Sequence, residues 1–145
     1  DDFQVIKNNL EGGNRTTKDR LVPYCLFTEP PVAHVGLSEG DAQRKGIKIR
    51  VVKLPVAAVL RTATTGETRG FMKAILSDSD DTVIGFTMIG PGASELMSTV
   101  QMVILAKLPF TFLRDAILAH PTMAEGLGEL FAGVAERNKS AVAAV

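Results

Sequence analysis

Hydrophobic and polar positions follow one rhythm through the first two thirds of the chain and another through the last third. From Leu21 to Val35, "LVPYCLFTEPPVAHV" mixes β-prone residues with prolines, which predicts strands interrupted at Pro30-Pro31. "IKIRVVKLP", from Ile47 to Pro55, alternates with β-branched residues and predicts a strand. "GFMKAIL" and "TVIGFTMIG" predict two more, joined by the polar turn "SDSDD" as an antiparallel hairpin. Between the first and second of these three, "AAVLRTATTGETRG" predicts a long loop or irregular edge. After Gly90-Pro91-Gly92 the period becomes helical, with Leu96, Val100, Val103 and Ile104 in register and Met97, Met102 and Leu105 widening the stripe. Such a broad apolar surface predicts a helix buried on more than one side, ended by Pro109.

Shorter signals complete the outline. "SEGDAQRKG" carries helix punctuation: Ser38 as N-cap, acids in the first turn, Arg44 and Lys45 in the last, and Gly46 beyond. "FTFLRDAIL" predicts a short helix and "TMAEGLGELFAGVAERN" a final one. At the start, "FQVIKNNL" predicts a short strand, and "EGGNRTTKDR" is polar and turn-like. Residues 1–20 are therefore taken as a linker or the end of a preceding unit, 21–136 as the domain, and 137–145 as a frayed tail. Strands first and helices last define an α+β fold, with helices packed on an antiparallel β-sheet.

Composition adds a constraint. Of the 145 residues, 46% are hydrophobic, and the mean hydropathy is positive. One domain of this size buries about 70% of its unfolded surface and has trouble hiding so much apolar area without a partner. A dimer is the expectation. Lys+Arg and Asp+Glu both number 16, which argues against the basic footprint of a nucleic-acid binder. No apolar run approaches the roughly 18 residues of a membrane span. A single cysteine makes no internal disulfide, consistent with a reducing, cytoplasmic setting. The first residue is Asp1 rather than methionine, which suggests a processed product or an excised piece.

Few residues carry candidate chemistry. "AHPTMAEGL" places His120 before Pro121, with Glu125 five positions on. Thr122 and Glu125 have capping-box spacing, and local pattern alone favours that structural role for the glutamate. A lone histidine after an apolar segment is likewise more often packed than catalytic. The two roles are compatible, because a glutamate in the first helical turn folds back toward the helix start, where His120 lies. Pro121 gives the imidazole a defined direction, and the His120–Pro121 bond is a candidate cis bond. Cys25 with His34 or His120 as a thiol nucleophile and base is the weaker pairing, since Cys25 sits in an apolar strand-like run. Two histidines and one cysteine show no metal-ligand spacing, so no metal site is expected. "SDSDD" lacks the glycine and distal glutamate of a calcium loop, and "TTGETRG" lacks the lysine of a phosphate loop.

Four of these segments, "FTEPPVAHVGLSEGDA", "TTGETRGFMKAIL", "VIGFTMIGPGASELM" and "AHPTMAEGL", stand in the order and spacing of a known module. From about Leu21 to Val134 the chain resembles the C-terminal dimerisation domain of the pyridine nucleotide–disulfide oxidoreductases, the family of glutathione reductase, lipoamide dehydrogenase and mercuric reductase. The resemblance implies a homodimeric flavoenzyme whose parent chain carries N-terminal FAD and NAD(P) domains, with residues 1–20 a linker or the end of the preceding FAD domain. FAD and NAD(P)H would serve the intact enzyme, with none bound by this domain alone. His120 would act as acid and base in the partner's flavin and disulfide site, paired with Glu125. The backbone around His120 and Pro121 would lie close to that flavin. Disulfide exchange needs a thiolate attacker and a proton for the departing sulfur, and a histidine's ordinary pKa of about 6.5 suits both near neutrality.

Two departures qualify the likeness. The chain contains no dinucleotide glycine fingerprint and no cysteine pair, so it is expected to be inactive in isolation. "DDFQVIKNNLEGGNRTT" resembles proteins labelled mercuric-reductase-like, but the chain ends "AVAAV" rather than in a cysteine pair and has His120 where mercuric reductases carry tyrosine. A disulfide-type substrate is the expectation. The alternative is a free-standing dimerisation or interaction module, in which His120 and Glu125 form only a loop junction.

Overall fold

A computed structural model describes residues 1–135 of the protein. The expected domain end at residue 136 and the tail at 137–145 lie outside the described residues. Five strands, β1 (Tyr24–Leu26), β2 (Val32–Gly36), β3 (Ile49–Pro55), β4 (Phe71–Ser77) and β5 (Val83–Ile89), form one antiparallel sheet in the order β1-β2-β5-β4-β3. Because side chains alternate along a strand, Ala33, Val35, Val52, Met72, Ala74, Phe86 and Met88 all reach one face and form the core. That face is closed by α4 (Ala93–Leu105) over β2 and β5, and by α6 (Glu125–Ala132) over β3 and β4. This is the expected α+β arrangement.

The strands predicted between Leu21 and Gly90 and the helix after Gly92 stand where the pattern placed them, and the final helix lies within its predicted segment but spans Glu125–Ala132. The helix after Ser38, α2 (Glu39–Arg44), has a complete capping box. The Asp41 N–H donates to the Ser38 hydroxyl at 3.1 Å, and the Ser38 N–H donates back to the Asp41 carboxylate at 3.0 Å.

Four expectations need correction. "FQVIKNNL" is not a strand but part of helix α1 (Asp2–Leu10), in which Phe3, Ile6 and Leu10 form a helically spaced stripe. That stripe is exposed, so only the 3.6-residue spacing signals it. The supposed loop after β3 contains a 3-10 turn (Val56–Ala58) and α3 (Leu60–Thr65). These lack a regular apolar stripe and are anchored by buried Val56, Val59 and Thr62, whose hydroxyl donates to the Val56 and Val59 carbonyls. Pro109 does not end α4; the helix stops at Leu105 and the chain turns through Lys107 at φ 52°. Finally, α4 is buried on one side only within this chain. Leu96, Met97, Val100 and Val103 face the core, while Met102 and Leu105 are exposed.

The β4–β5 hairpin tip holds the connection that follows α4. Phe110 N–H donates to the Asp81 carbonyl at 2.9 Å, and Arg50 of β3 pairs with Asp81 and lies 5.9 Å from the Phe110 ring centre. Arg50 Nε is buried and 3.4 Å from an Asp78 carboxylate oxygen, an ion-pair distance without hydrogen-bond geometry. Through Phe110 this cluster fixes the start of α5 (Thr111–Arg114). No helix among the described residues is long and apolar enough to cross a membrane.

Candidate acid/base site

The segment between α5 and α6 is an exposed loop with both ends anchored in the core. Leu113 of α5 and Leu127, Leu130 and Phe131 of α6 are buried, and the Phe110 and Phe131 rings lie 6.1 Å apart. Between them, Ile117, His120 and Pro121 face outward. Gly126 sets how closely α6 can approach the sheet. A Cβ there would stand 2.6 Å from both Met72 Cε and Val59 Cγ2, so a side chain would force these neighbours or the helix start to shift. The His120–Pro121 peptide bond is cis.

His120 and Glu125 are in contact, as their spacing suggested. Nδ1 of His120 lies 2.7 Å from Glu125 Oε1. The second carboxylate oxygen, Oε2, accepts the Thr122 backbone N–H at 3.0 Å. The Thr122 N–H, followed by the His120 hydrogen bond, holds the Glu125 carboxyl below its ordinary value of 4.5, outweighing the opposing effect of partial burial. The glutamate is therefore ionised at neutral pH and can only accept. Nδ1 then carries the hydrogen of the shared bond, and Nε2 is the nitrogen left for chemistry. The exposures agree with that division: the His120 side chain is 63% exposed, the Glu125 side chain 23%. Nε2 has no hydrogen-bond partner among the described residues.

The capping box at Thr122 is only half formed. The predicted register put Glu125 at the third helical position, whereas it is the first residue of α6, and the N-cap is Ala124, which makes no side-chain cap. The Thr122 hydroxyl donates instead to the Ala119 carbonyl at 2.7 Å. Residue types and spacing could not have disclosed that contact, because it depends on the turn at His120–Pro121.

The weaker thiol pairing with His34 is not assembled. Cys25 pairs with Ala33 and Tyr24 with His34 across β1 and β2, so Cys25 packs on the core side and His34 lies on the opposite face. Both nitrogens of His34 are engaged locally, Nδ1 with Thr87 Oγ1 at 2.8 Å and Nε2 with the Gly36 carbonyl at 3.2 Å. Among the described residues no group of three or more His, Cys, Asp or Glu side chains is placed to hold a metal ion.

Comparison with known proteins supplies the family. Residues 22–131 match the dimerisation domain of the pyridine nucleotide-disulphide oxidoreductases. The probable pyridine nucleotide-disulfide oxidoreductase RclA of Escherichia coli K12 is 41% identical over 133 residues, 90% of this chain and 30% of the relative. The dihydrolipoyl dehydrogenase of Chlamydia muridarum is 36% identical over 121 residues, 83% of this chain and 26% of the relative. The solved structure of the HOCl-induced flavoprotein disulfide reductase RclA from Escherichia coli superposes with a TM-score of 0.85 at 40% identity, covering 92% of this chain and 31% of that one. The chain thus spans less than a third of the length of these relatives. On the family match and the RclA superposition together, the chain belongs to the pyridine nucleotide–disulfide oxidoreductase family, as its dimerisation domain.

Proposed function

We propose that this domain completes the active site of a homodimeric, FAD-dependent and NAD(P)H-dependent disulfide oxidoreductase by contributing His120 and Glu125 in trans. The observation that carries the proposal is the 2.7 Å contact between His120 Nδ1 and Glu125, on a loop that leaves the other imidazole nitrogen exposed. Within one described chain that nitrogen faces no reacting group. It is held ready for a group supplied by another surface.

The chemistry follows from the tautomer. The substrate is of the disulfide class. A thiolate attacks one sulfur of the disulfide, the new S–S bond forms as the old one breaks, and the departing sulfur leaves as a thiolate. A protonated His120 gives the proton on Nε2 to that sulfur, while Glu125 stabilises the cation from Nδ1. In the opposite direction neutral Nε2 takes the proton from an incoming thiol. Help of this kind is worth about 10²–10⁴ in rate.

The loop also fits a flavin edge. The exposed Pro121 ring offers an apolar contact, and the His120 carbonyl accepts no hydrogen bond among the described residues. His120 and Pro121 are accordingly the residues proposed to lie against the partner's FAD. When bound, the flavin supplies electron transfer between the nicotinamide and the disulfide.

Exposed apolar side chains support the remaining contacts. Met102 and Leu105 on α4, with Phe112 and Ile117 beyond it, suit a face turned to the second subunit. The stripe of Phe3, Ile6 and Leu10 on α1 suits packing against a preceding FAD domain of the parent chain. The isolated domain, with one cysteine and no nucleotide fingerprint, is expected to reduce nothing by itself.

The test uses the protein expressed from the complete parent gene. Flavin absorbance is recorded first, then NAD(P)H-driven disulfide reduction with and without His120→Ala. Loss of two or more orders of magnitude in turnover, with flavin retained, supports the proposal. A flavin-bearing protein indifferent to the substitution reduces the pair to a loop junction. A colourless parent would favour a free-standing interaction module.

A further inference from the structure

One hydroxyl beside His120 serves neither the imidazole nor the carboxylate directly. Thr122 stands where a capping residue for α6 is expected, yet its Oγ1 donates 2.7 Å back to the Ala119 carbonyl, the residue before His120. Its backbone N–H meanwhile donates 3.0 Å forward to Glu125 Oε2. The other oxygen of that carboxylate meets His120 Nδ1 at 2.7 Å. These three bonds bracket His120 from both sides: one closes the turn Ala119–Thr122, one aims the glutamate, and one aims the imidazole.

Among the described residues the other anchors lie at the ends of the loop, where Leu113 and Leu127 are buried and Met123 packs against the core. Residues 116–119 have no regular secondary structure, and Pro121 has no N–H to give. The helix start gains nothing from the hydroxyl, because Ala124 is the N-cap and no side chain caps it.

We infer that Thr122 is a positioning residue for His120, its hydroxyl holding the loop turn so that the imidazole stays in register with Glu125. The inference rests on the acid/base role proposed above and extends it to a residue that never touches the substrate. A threonine hydroxyl used only for stability would act on the helix or on the core. This one ties Thr122 to Ala119, closing the chain across His120 and Pro121.

The closing experiment compares four forms of the full-length flavoenzyme: the parent, Thr122→Val, Thr122→Ser and His120→Ala. Thr122→Val keeps the branched shape and the backbone N–H but removes the hydroxyl. The expected result is a roughly tenfold fall in kcat, with KM for the disulfide and the thermal midpoint nearly unchanged. Thr122→Ser, which restores the donor, recovers most of the lost turnover. If Thr122→Val does not accumulate as a flavin-bearing protein, Thr122→Ala carries the same comparison.

The outcomes separate the two claims. A damaging His120→Ala beside a Thr122→Val enzyme of parental kcat overturns the positioning inference and leaves the acid/base proposal standing. A fall in thermal midpoint with kcat unchanged also overturns it, by assigning the hydroxyl to stability alone. A harmless His120→Ala overturns the acid/base proposal itself, and the inference with it.

Discussion

Two segments of this chain share one spacing, a hydroxyl three residues before a carboxylate, and fold it to different ends. At Ser38-x-x-Asp41 both halves of the capping box close, satisfying the Ser38 and Asp41 N–H groups at the start of α2. At Thr122-x-x-Glu125 only the carboxylate half closes; the hydroxyl turns backward and the glutamate's free oxygen goes to a histidine. The residue before the hydroxyl separates them. Leu37 leads into Ser38 with ordinary extended backbone, and its N–H is taken by Ile84 of β5. Thr122 follows a proline, which has no N–H to give, and the Ala119 carbonyl lies within reach of its side chain at 2.7 Å. A capping motif therefore specifies helix stability where nothing competes for its donors, and can be recruited to a site where something does.

The two carboxylates record the same contrast. Asp41 is lowered from 3.8 to about 2, first by the Ser38 hydroxyl and then by the Ser38 N–H, with Arg44 adding to the effect. Glu125 is lowered first by the Thr122 N–H and then by His120. One carboxylate is held by its own cap. The other divides its oxygens between a helix start and an imidazole.

Substitutions at matched positions should pull the two sites apart. The largest effect is expected at Glu125. In the full-length enzyme, Glu125→Gln should lower kcat by about tenfold or more, since the amide cannot stabilise the protonated imidazole as a carboxylate does. Asp41→Asn should leave kcat where it was, and steady-state assays of the two variants side by side check both. An Asp41 variant as damaging as the Glu125 variant would erase the distinction.

Stability should show the reverse order. Ser38→Ala should cost about 1 kcal/mol in chemical denaturation, the usual loss for a helix N-cap. Thr122→Val should cost less, because its exposed hydroxyl caps no helix.

The smallest effect is in pH dependence. A carboxyl whose folded pKa is depressed binds fewer protons folded than unfolded, so its stabilisation is complete above the unfolded value and is lost as pH falls. For Asp41 the advantage over Asp41→Asn should persist down to about pH 3.8 and disappear as the pH falls through about 2. For Glu125 the decline should begin below pH 4.5. Acid titrations of the melting temperature for each variant against the parent check the sign.

Much of this fold is legible in the amino-acid sequence. Alternation in "IKIRVVKLP" marks a strand whose side chains divide between a core and an outer face, and the short apolar runs "GFMKAIL" and "TVIGFTMIG", bounded by turn residues, mark two more. The helix at Ser38 was legible because its signals are local. α1 was misread because a helix that buries nothing in this chain has no core to enforce its pattern, and "FQVI" alone looks β-prone. The segment around Leu60–Thr65 was missed because threonines dominate it, and what holds it is a buried hydroxyl rather than a stripe. At the site, the residues were legible and the division of their bonds was not. The spacing of His120 and Glu125 signals their contact, while the acid/base role is implied by the family resemblance and not by the local pattern. The backward bond of Thr122 depends on a turn that only the folded chain defines.

The most direct measurement is subunit complementation in the full-length enzyme. One variant carries His120→Ala and keeps the redox-active cysteine pair that the proposed disulfide chemistry requires of the parent chain; the other keeps His120 and has that pair replaced by serine. Each alone should be nearly inactive. After dissociation and random reassociation, half of the dimers are hybrids with one intact composite site, so activity should return to about a quarter of the unmutated level. Recovery of that size would show that His120 serves the opposite subunit. No recovery, with hybrid dimers present and flavin bound, would contradict a contribution in trans.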